Sequence, residues 1–134
     1  MILDTSLLID VMNNDAAALA TVDEIEAAEV PQRIPAMTLQ ELYIGVGMSD
    51  MPETEQREIE RIVESRPVVP TSGAIARKAG RIDGELRAAG EPIDTGDATI
   101  GATALVCEEP VVTGNPDHFE RISGIEVVGY EPNR

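Results

Sequence analysis

Aromatic side chains are nearly missing from this sequence, with one Phe, two Tyr and no Trp in 134 residues. A core must therefore be built from Ala, Val, Ile and Leu. Lysine is scarcer still: Lys78 stands alone among ten basic residues that face twenty-five acidic ones. The single cysteine, Cys107, excludes an internal disulfide and points to a reducing, intracellular setting. It sits in an Ala/Leu-rich stretch and reads as a small core residue. The one histidine, His118, reads first as a structural or solvated side chain. No basic leader precedes the first apolar run, and no run approaches the roughly 18 apolar residues of a membrane span, so a soluble, cytoplasmic protein is expected. Glycine-rich phosphate loops of either standard type are missing too.

What is present is a chain with 43% hydrophobic residues, too apolar for a disordered acidic tail and of a length that suits one domain over residues 1–134. Its formal net charge is -15. So acidic a folded domain, almost without lysine and with small core residues, suggests work in concentrated salt and an origin in a halophilic archaeon. In dilute buffer such a charge repels nucleic acid, whose phosphates are bound through Lys and Arg. In molar salt the screening length falls to about 3 Å, so the charge does not exclude a nucleic-acid substrate.

The chain begins Met1-Ile2-Leu3-Asp4-Thr5-Ser6, a short apolar strand that stops at a carboxylate and runs into an apolar helix. Asp4 then lies at the carboxyl end of a strand, where open α/β sheets bind ligands. An N-cap serves equally as a reading of Asp4. Helical spacing continues over 15–29, and Arg33 to Ala36 forms a short strand whose proline suits a strand start or an edge. Thr38 opens a helix that closes near Gly45 and Gly47, with Thr38 and Glu41 at capping-box spacing. An amphipathic helix over 52–65, a small strand at 67–70 and a long helix from about Thr71 to Ala89 follow. The last carries Arg77, Lys78, Arg81 and Arg87, which read as an ordinary solvated face. Asp97 starts a helix of small residues, with Asp94 in the loop before it. A strand ends at Thr113, a short helix reaches Ile122, and a final strand spans 125–128.

Strands and helices in alternation predict an α/β fold with a mostly parallel sheet. Helix starts then share an edge with strand ends, so Asp4, Glu41, Asp97 and the Asn115/Asp117 pair can converge. Clustered carboxylates repel and take up protons unless a cation sits among them. Hard oxygen ligands select magnesium or manganese, and a carboxylate-held divalent ion suits hydrolysis of phosphodiesters.

The same residues carry a family resemblance. Asp4-Thr5-Ser6 with an apolar helix, Thr38-x-x-Glu41-Leu42 with Gly45, and Ile93-x-x-x-Asp97-x-x-Ile100-Gly101-Ala102 are three of the motifs. The fourth is Val112-Thr113-x-Asn115-x-x-His118-Phe119, followed by Ile122-x-Gly124-Ile125-x-Val127. In that order the chain resembles PIN-domain ribonucleases of the VapC toxin type along nearly its whole length. The resemblance implies a three-layer α/β/α sandwich and an endoribonuclease dependent on Mg2+ or Mn2+. It also implies homodimers and a VapB-type antitoxin as partner. Carried over, the metal carboxylates fall on Asp4 and Asp97, Glu41 is a third acid, and Thr113 is the strand-end hydroxyl of the catalytic set. The family often has Asp where this chain has Asn115, and Asp117 stands two residues on as a substitute metal ligand.

Other readings are open from sequence. A catalytically degenerate PIN module that binds RNA or a partner draws support from Asn115. A housekeeping RNA-processing nuclease would use the same fold. A receiver domain needs an adjacent acidic pair and a strand-end lysine, whereas Lys78 falls mid-helix. A haloacid-dehalogenase-type phosphatase needs Asp-x-Asp, and position 6 is Ser6.

Overall fold

The computed structural model describes residues 1–133, in which five short strands alternate with seven helices. Strand β1 (Ile2–Leu3) leads into α1 (Thr5–Met12) and α2 (Ala16–Ala27). Strand β2 (Ile34–Pro35) leads into α3 (Ala36–Met48) and α4 (Pro52–Val63), and β3 (Val68–Val69) into α5 (Gly73–Ala88) and α6 (Thr95–Cys107). Strand β4 (Val111–Thr113) is followed by α7 (Pro116–Glu120) and β5 (Val127–Gly129).

Every described pairing is parallel: β2 with β3, β1 with β4, and β4 with β5. A bridge between Ile2 and Arg33 joins the two groups; the Leu3 N–H donates to Arg33 O at 3.0 Å and the Arg33 N–H to Met1 O at 2.9 Å. The strands therefore lie in the order β3-β2-β1-β4-β5. Winding proceeds outward from β1 in one direction and then returns to its other side at β4. The topological switch point lies between β1 and β4, and their carboxyl ends carry Asp4 and Thr113.

Strand periodicity splits the core into two. Ile2 and Val111 face α5, α6 and Phe119, while Leu3 and Val112 face α1, α2, α3 and α4. These are the two outer layers of the α/β/α sandwich expected from sequence. Ile2, Leu3, Val111 and Val112 are fully buried, each contributing about 1.5–3 kcal/mol by leaving water. The small residues of α6 serve close packing. A Cβ on Gly101 would stand 2.5 Å from the Ile122 methyl Cδ1, so glycine lets that helix settle against the 119–125 segment without displacing the Ile122 side chain.

Several local expectations are corrected. The strand at Pro35 is no edge, since β2 lies between β1 and β3; Pro35 is its last residue, where a missing N–H leaves the ladder nearly intact. Helix α3 starts at Ala36 and runs through Gly45 and Gly47 to Met48, because packing of Leu42 and Val46 outweighs glycine's weak preference against helix. Helix α6 starts at Thr95 with Asp94 as its N-cap residue, so Asp97 lies within the first turn. On α5, Arg81 pairs with Glu85 and Arg87 with Asp83, both four residues apart, as on a solvated face. Among the described residues no helix is long and apolar enough to cross a membrane.

Candidate active site

Asp4 follows β1 directly and occupies the N-cap position of α1, yet its side chain makes no cap hydrogen bond. It is buried, and its Oδ2 accepts from the Ser6 and Thr113 hydroxyls, both at 2.7 Å. Each hydroxyl has one proton and gives it to the carboxylate, so the 3.2 Å approach of Ser6 Oγ to Thr113 Oγ1 is contact between two engaged donors. The backbone N–H groups of Gly114 and Asn115 donate in turn to Ser6 Oγ and Thr113 Oγ1, at 3.0 and 2.9 Å. Thr113 is fully buried behind Asp4 and thus positions it from the neighbouring strand.

Glu41 reaches the same place by another route. The capping-box expectation fails: Thr38 lies inside α3, buried, and its Oγ1 donates to Leu3 O at 3.0 Å. Residues three apart share a helix face, so the bond that ties Thr38 to the end of β1 also aims Glu41 at the Asp4 region. Thr5 Oγ1 donates to Glu41 Oε1 at 2.8 Å. Gly96, buried in the first turn of α6, makes room for this carboxylate; a Cβ there would meet Glu41 Oε2 at 2.8 Å.

Asp97 projects from the first turn of α6, where the helix dipole favours negative charge. Its Oδ2 lies 2.9 Å from His118 Nδ1. Sequence reasoning passed over this histidine, because a single His three residues past Asn115 gives no sign of its partner. Thr5 and Ser6 were visible as hydroxyls after a strand-end acid, a spacing that could have marked them as its hydrogen-bond donors.

Asp4, Glu41 and Asp97 line one cavity of about 840 Å3, with Asp94, Asn115 and His118 beside them. No Lys or Arg lines it among the described residues. Burial raises the Glu41 pKa above the ordinary carboxylate range, opposed by the Thr5 hydrogen bond and reinforced by the charges of Asp4, Asp97 and Asp94. Burial raises Asp97 as well; the His118 hydrogen bond opposes it, and Asp4 and Asp94 add to it. Asp117 does not join this set. It is exposed and lines a different cavity with Gly129 and Tyr130, which Asn115 and His118 also border.

The residues present fit a hard divalent cation. Burial, with the charges of the neighbouring acids added to it, raises the Glu41 and Asp97 pKa values, a cost that a bound cation would relieve. Among the described residues no three His, Cys, Asp or Glu side chains are grouped so that together they could hold a metal ion. An open, oxygen-lined wall suits an ion such as magnesium, which keeps several waters and takes one or two carboxylates.

Residues 1–125 match the family described as PIN domain. The chain belongs to the PIN-domain family. This PIN domain is 31% identical over 123 residues to a tRNA(fMet)-specific endonuclease VapC of Shigella flexneri, covering 92% of each chain. The structure of DNA-bound VapBC from Salmonella typhimurium matches it with a TM-score of 0.85 and 28% identity, covering 96% of both chains. VapBC2 from Rickettsia felis, bound to a promoter DNA fragment, shares the fold with a TM-score of 0.87 at 21% identity, over 97% of this chain and 98% of that one.

Proposed function

We propose that residues 1–134 act as a single PIN domain and that the chain is a divalent-metal-dependent endoribonuclease, the toxin of a VapBC-type toxin–antitoxin pair. The observation that carries this reading is the meeting of Asp4, Glu41 and Asp97 in one cation-free cavity at the switch point of the sheet. The endonuclease relative named above supports it.

Asp4 and Asp97 are the residues to hold Mg2+ or Mn2+, with Asn115 offering a neutral oxygen at the same wall and Glu41 a third acid. When bound, the metal lowers the pKa of water and offsets charge that develops on the phosphate. The chain's own contribution is alignment. Ser6 and Thr113 leave Asp4 Oδ1 without a hydrogen bond among the described residues and turned over to ligation. His118 fixes the Asp97 carboxylate, and Thr5 fixes Glu41. Glu41, whose proton affinity is raised by burial, takes the proton of the attacking water as the phosphorus–oxygen bond to the leaving group breaks. Thr113 does its part from behind Asp4. Cleavage of RNA in Mg2+ or Mn2+, lost with a chelator and restored by excess metal, is the expected result. Cleavage that survives chelation would remove the metal from the mechanism.

The partner is a VapB-type antitoxin, as the VapBC assemblies of the structural relatives support. An uncompensated acidic cavity is a fitting target for an inserted arginine, whose planar fork bonds carboxylates bidentately. Homodimerisation belongs to the same proposal and rests on the family resemblance.

Concentrated salt as the working medium is supported by charge alone. With 25 acids and 10 basic residues, at least 25 − 10 = 15 acids have no cation of their own. Self-repulsion then opposes compaction until salt screens it. The melting temperature should rise by about 5 °C or more between dilute buffer and molar potassium chloride, the equivalent of about 1 kcal/mol. A flat or falling curve would count against a high-salt origin.

A further inference from the structure

The acidic cavity extends well beyond its catalytic wall. Helix α1 runs along it, with Asp4 at one end and Asn13, its C-cap residue, at the other, a rise of about 13 Å over nine residues. At that far end the lining is Ile9, Asn13, Asn14 and Asn133, together with two more acids, Asp10 and Asp15.

Those two acids are already engaged. Asp10 is buried and accepts from Tyr130 Oη at 2.7 Å. Asp15 caps α2 through the Ala18 N–H at 3.0 Å and accepts the Asn133 backbone N–H at 2.7 Å. Their work is to fasten the segment Tyr130–Asn133 along the α1–α2 turn. The far end thus presents neutral groups to the cavity. The side-chain amides of Asn13, Asn14 and Asn133 are exposed and make no hydrogen bond among the described residues. Asn14 is held in the left-handed region at φ 57° by the turn, with its N–H bonded to Val11 O at 3.0 Å. Ile9 is 41% exposed, an apolar side chain between the acids and the amides.

We infer that this far end is a nucleobase subsite, which reads one base of a single-stranded RNA while its phosphate is cut at the Asp4 wall. The inference rests on the nuclease reading given above and names its substrate class. A phosphate is a poor match here, because no Lys or Arg among the described residues lines the cavity. A base edge is a good match: an amide offers one acceptor and two donors, which suit the Watson–Crick or Hoogsteen edge of an unpaired base. Ile9 supplies apolar surface for the base's face. The distance along α1 means that the base read is on a nucleotide next to the scissile bond or one beyond it. An A-form duplex buries those edges, so the strand must be unpaired there.

The test uses the full chain, with Mg2+ in molar potassium chloride, and a pool of single-stranded RNA oligonucleotides with a randomised central segment. Cleavage positions are read by sequencing. The wild type should prefer one base, or one class of base, at a fixed position from the cut. The paired substitution Asn13→Ala and Asn133→Ala keeps the Asn133 N–H bond to Asp15 and should flatten that preference. On the preferred RNA it should lose more than tenfold in kcat/KM, carried mainly by KM, with an unchanged melting temperature. Arg81→Ala, on the exposed surface of α5 and outside the cavity lining, serves as the control and should match the wild type. An unaltered preference in the double variant overturns the subsite, and so does a wild type that cuts with no base preference. A wild type that cuts no RNA at all overturns the nuclease reading itself, and the subsite falls with it.

Discussion

Asp97→Asn should abolish most RNA cleavage while leaving a fold at least as stable as the original. Loss of a metal-holding charge removes several kcal/mol of transition-state stabilisation, and at 1.36 kcal/mol per tenfold the expected drop is about 10³. Asparagine keeps an oxygen for His118 Nδ1, so the local geometry survives. Stability follows from the raised pKa. The folded state holds the Asp97 proton to higher pH than the unfolded chain does, so its favourable contribution is full below the ordinary carboxylate range. It is lost as pH rises through the raised folded value, and at neutral pH the ionised group opposes folding without metal. Neutralising it removes that opposition. Activity has the opposite dependence: it needs the ionised carboxylates, so it falls as pH drops and protons compete with the metal for Glu41 and Asp97. Cleavage rates with metal and melting curves in chelator, each across pH, measure both. Near-wild-type rates for Asp97→Asn would sink the assignment. A larger loss of metal affinity in Asp94→Asn would shift the ligand to the N-cap of α6.

Gly96→Ala is expected to separate activity from stability in the same direction, by a different route. The added Cβ would stand 2.8 Å from Glu41 Oε2 and 3.1 Å from its Cδ. Those atoms are the far end of a flexible side chain, so the fold accommodates the methyl by moving the carboxylate. A displacement of about 1 Å at a reacting group can cost 10²-fold in rate, and that is the loss expected here. The melting temperature should stay within a few degrees, helped by alanine's better helix propensity. Glu41→Gln provides the comparison: if Gly96→Ala retains full activity while Glu41→Gln does not, the crowding at Gly96 is relieved without disturbing Glu41.

The acids of the site were legible in the sequence because strand ends and helix starts leave a local mark. Asp4 closes an apolar triplet, and Asp97 opens a run of small residues. The reasons for their placement were less legible. Thr38 and Glu41 have the spacing of a capping box, and the same spacing puts two side chains on one helix face; the choice between the two was decided by Leu3 O, thirty-five residues away. Asp117 looked like a substitute for the missing acid, but it lines a neighbouring cavity that Asn115 also borders and not the one that Asp4, Glu41 and Asp97 share. His118 acquired its role only through a partner twenty-one residues earlier in the chain. The alternation of strands and helices predicted the parallel sheet and its two covered faces. It did not reveal that β2 is interior, since a strand of two residues has too little pattern to show both its neighbours.

The hydrogen bond from Thr113 to Asp4 spans 109 residues. During synthesis Asp4 is made more than a hundred residues before the strand that holds it. A nascent chain shorter than about 113 residues has α1, α3 and most of α6, but its central strand lacks one neighbour and its first carboxylate lacks one of two hydroxyl donors. Parallel pairing over such a separation is slow to form. The alignment of Asp4 is therefore a property of the finished sheet and not of the segment that carries it.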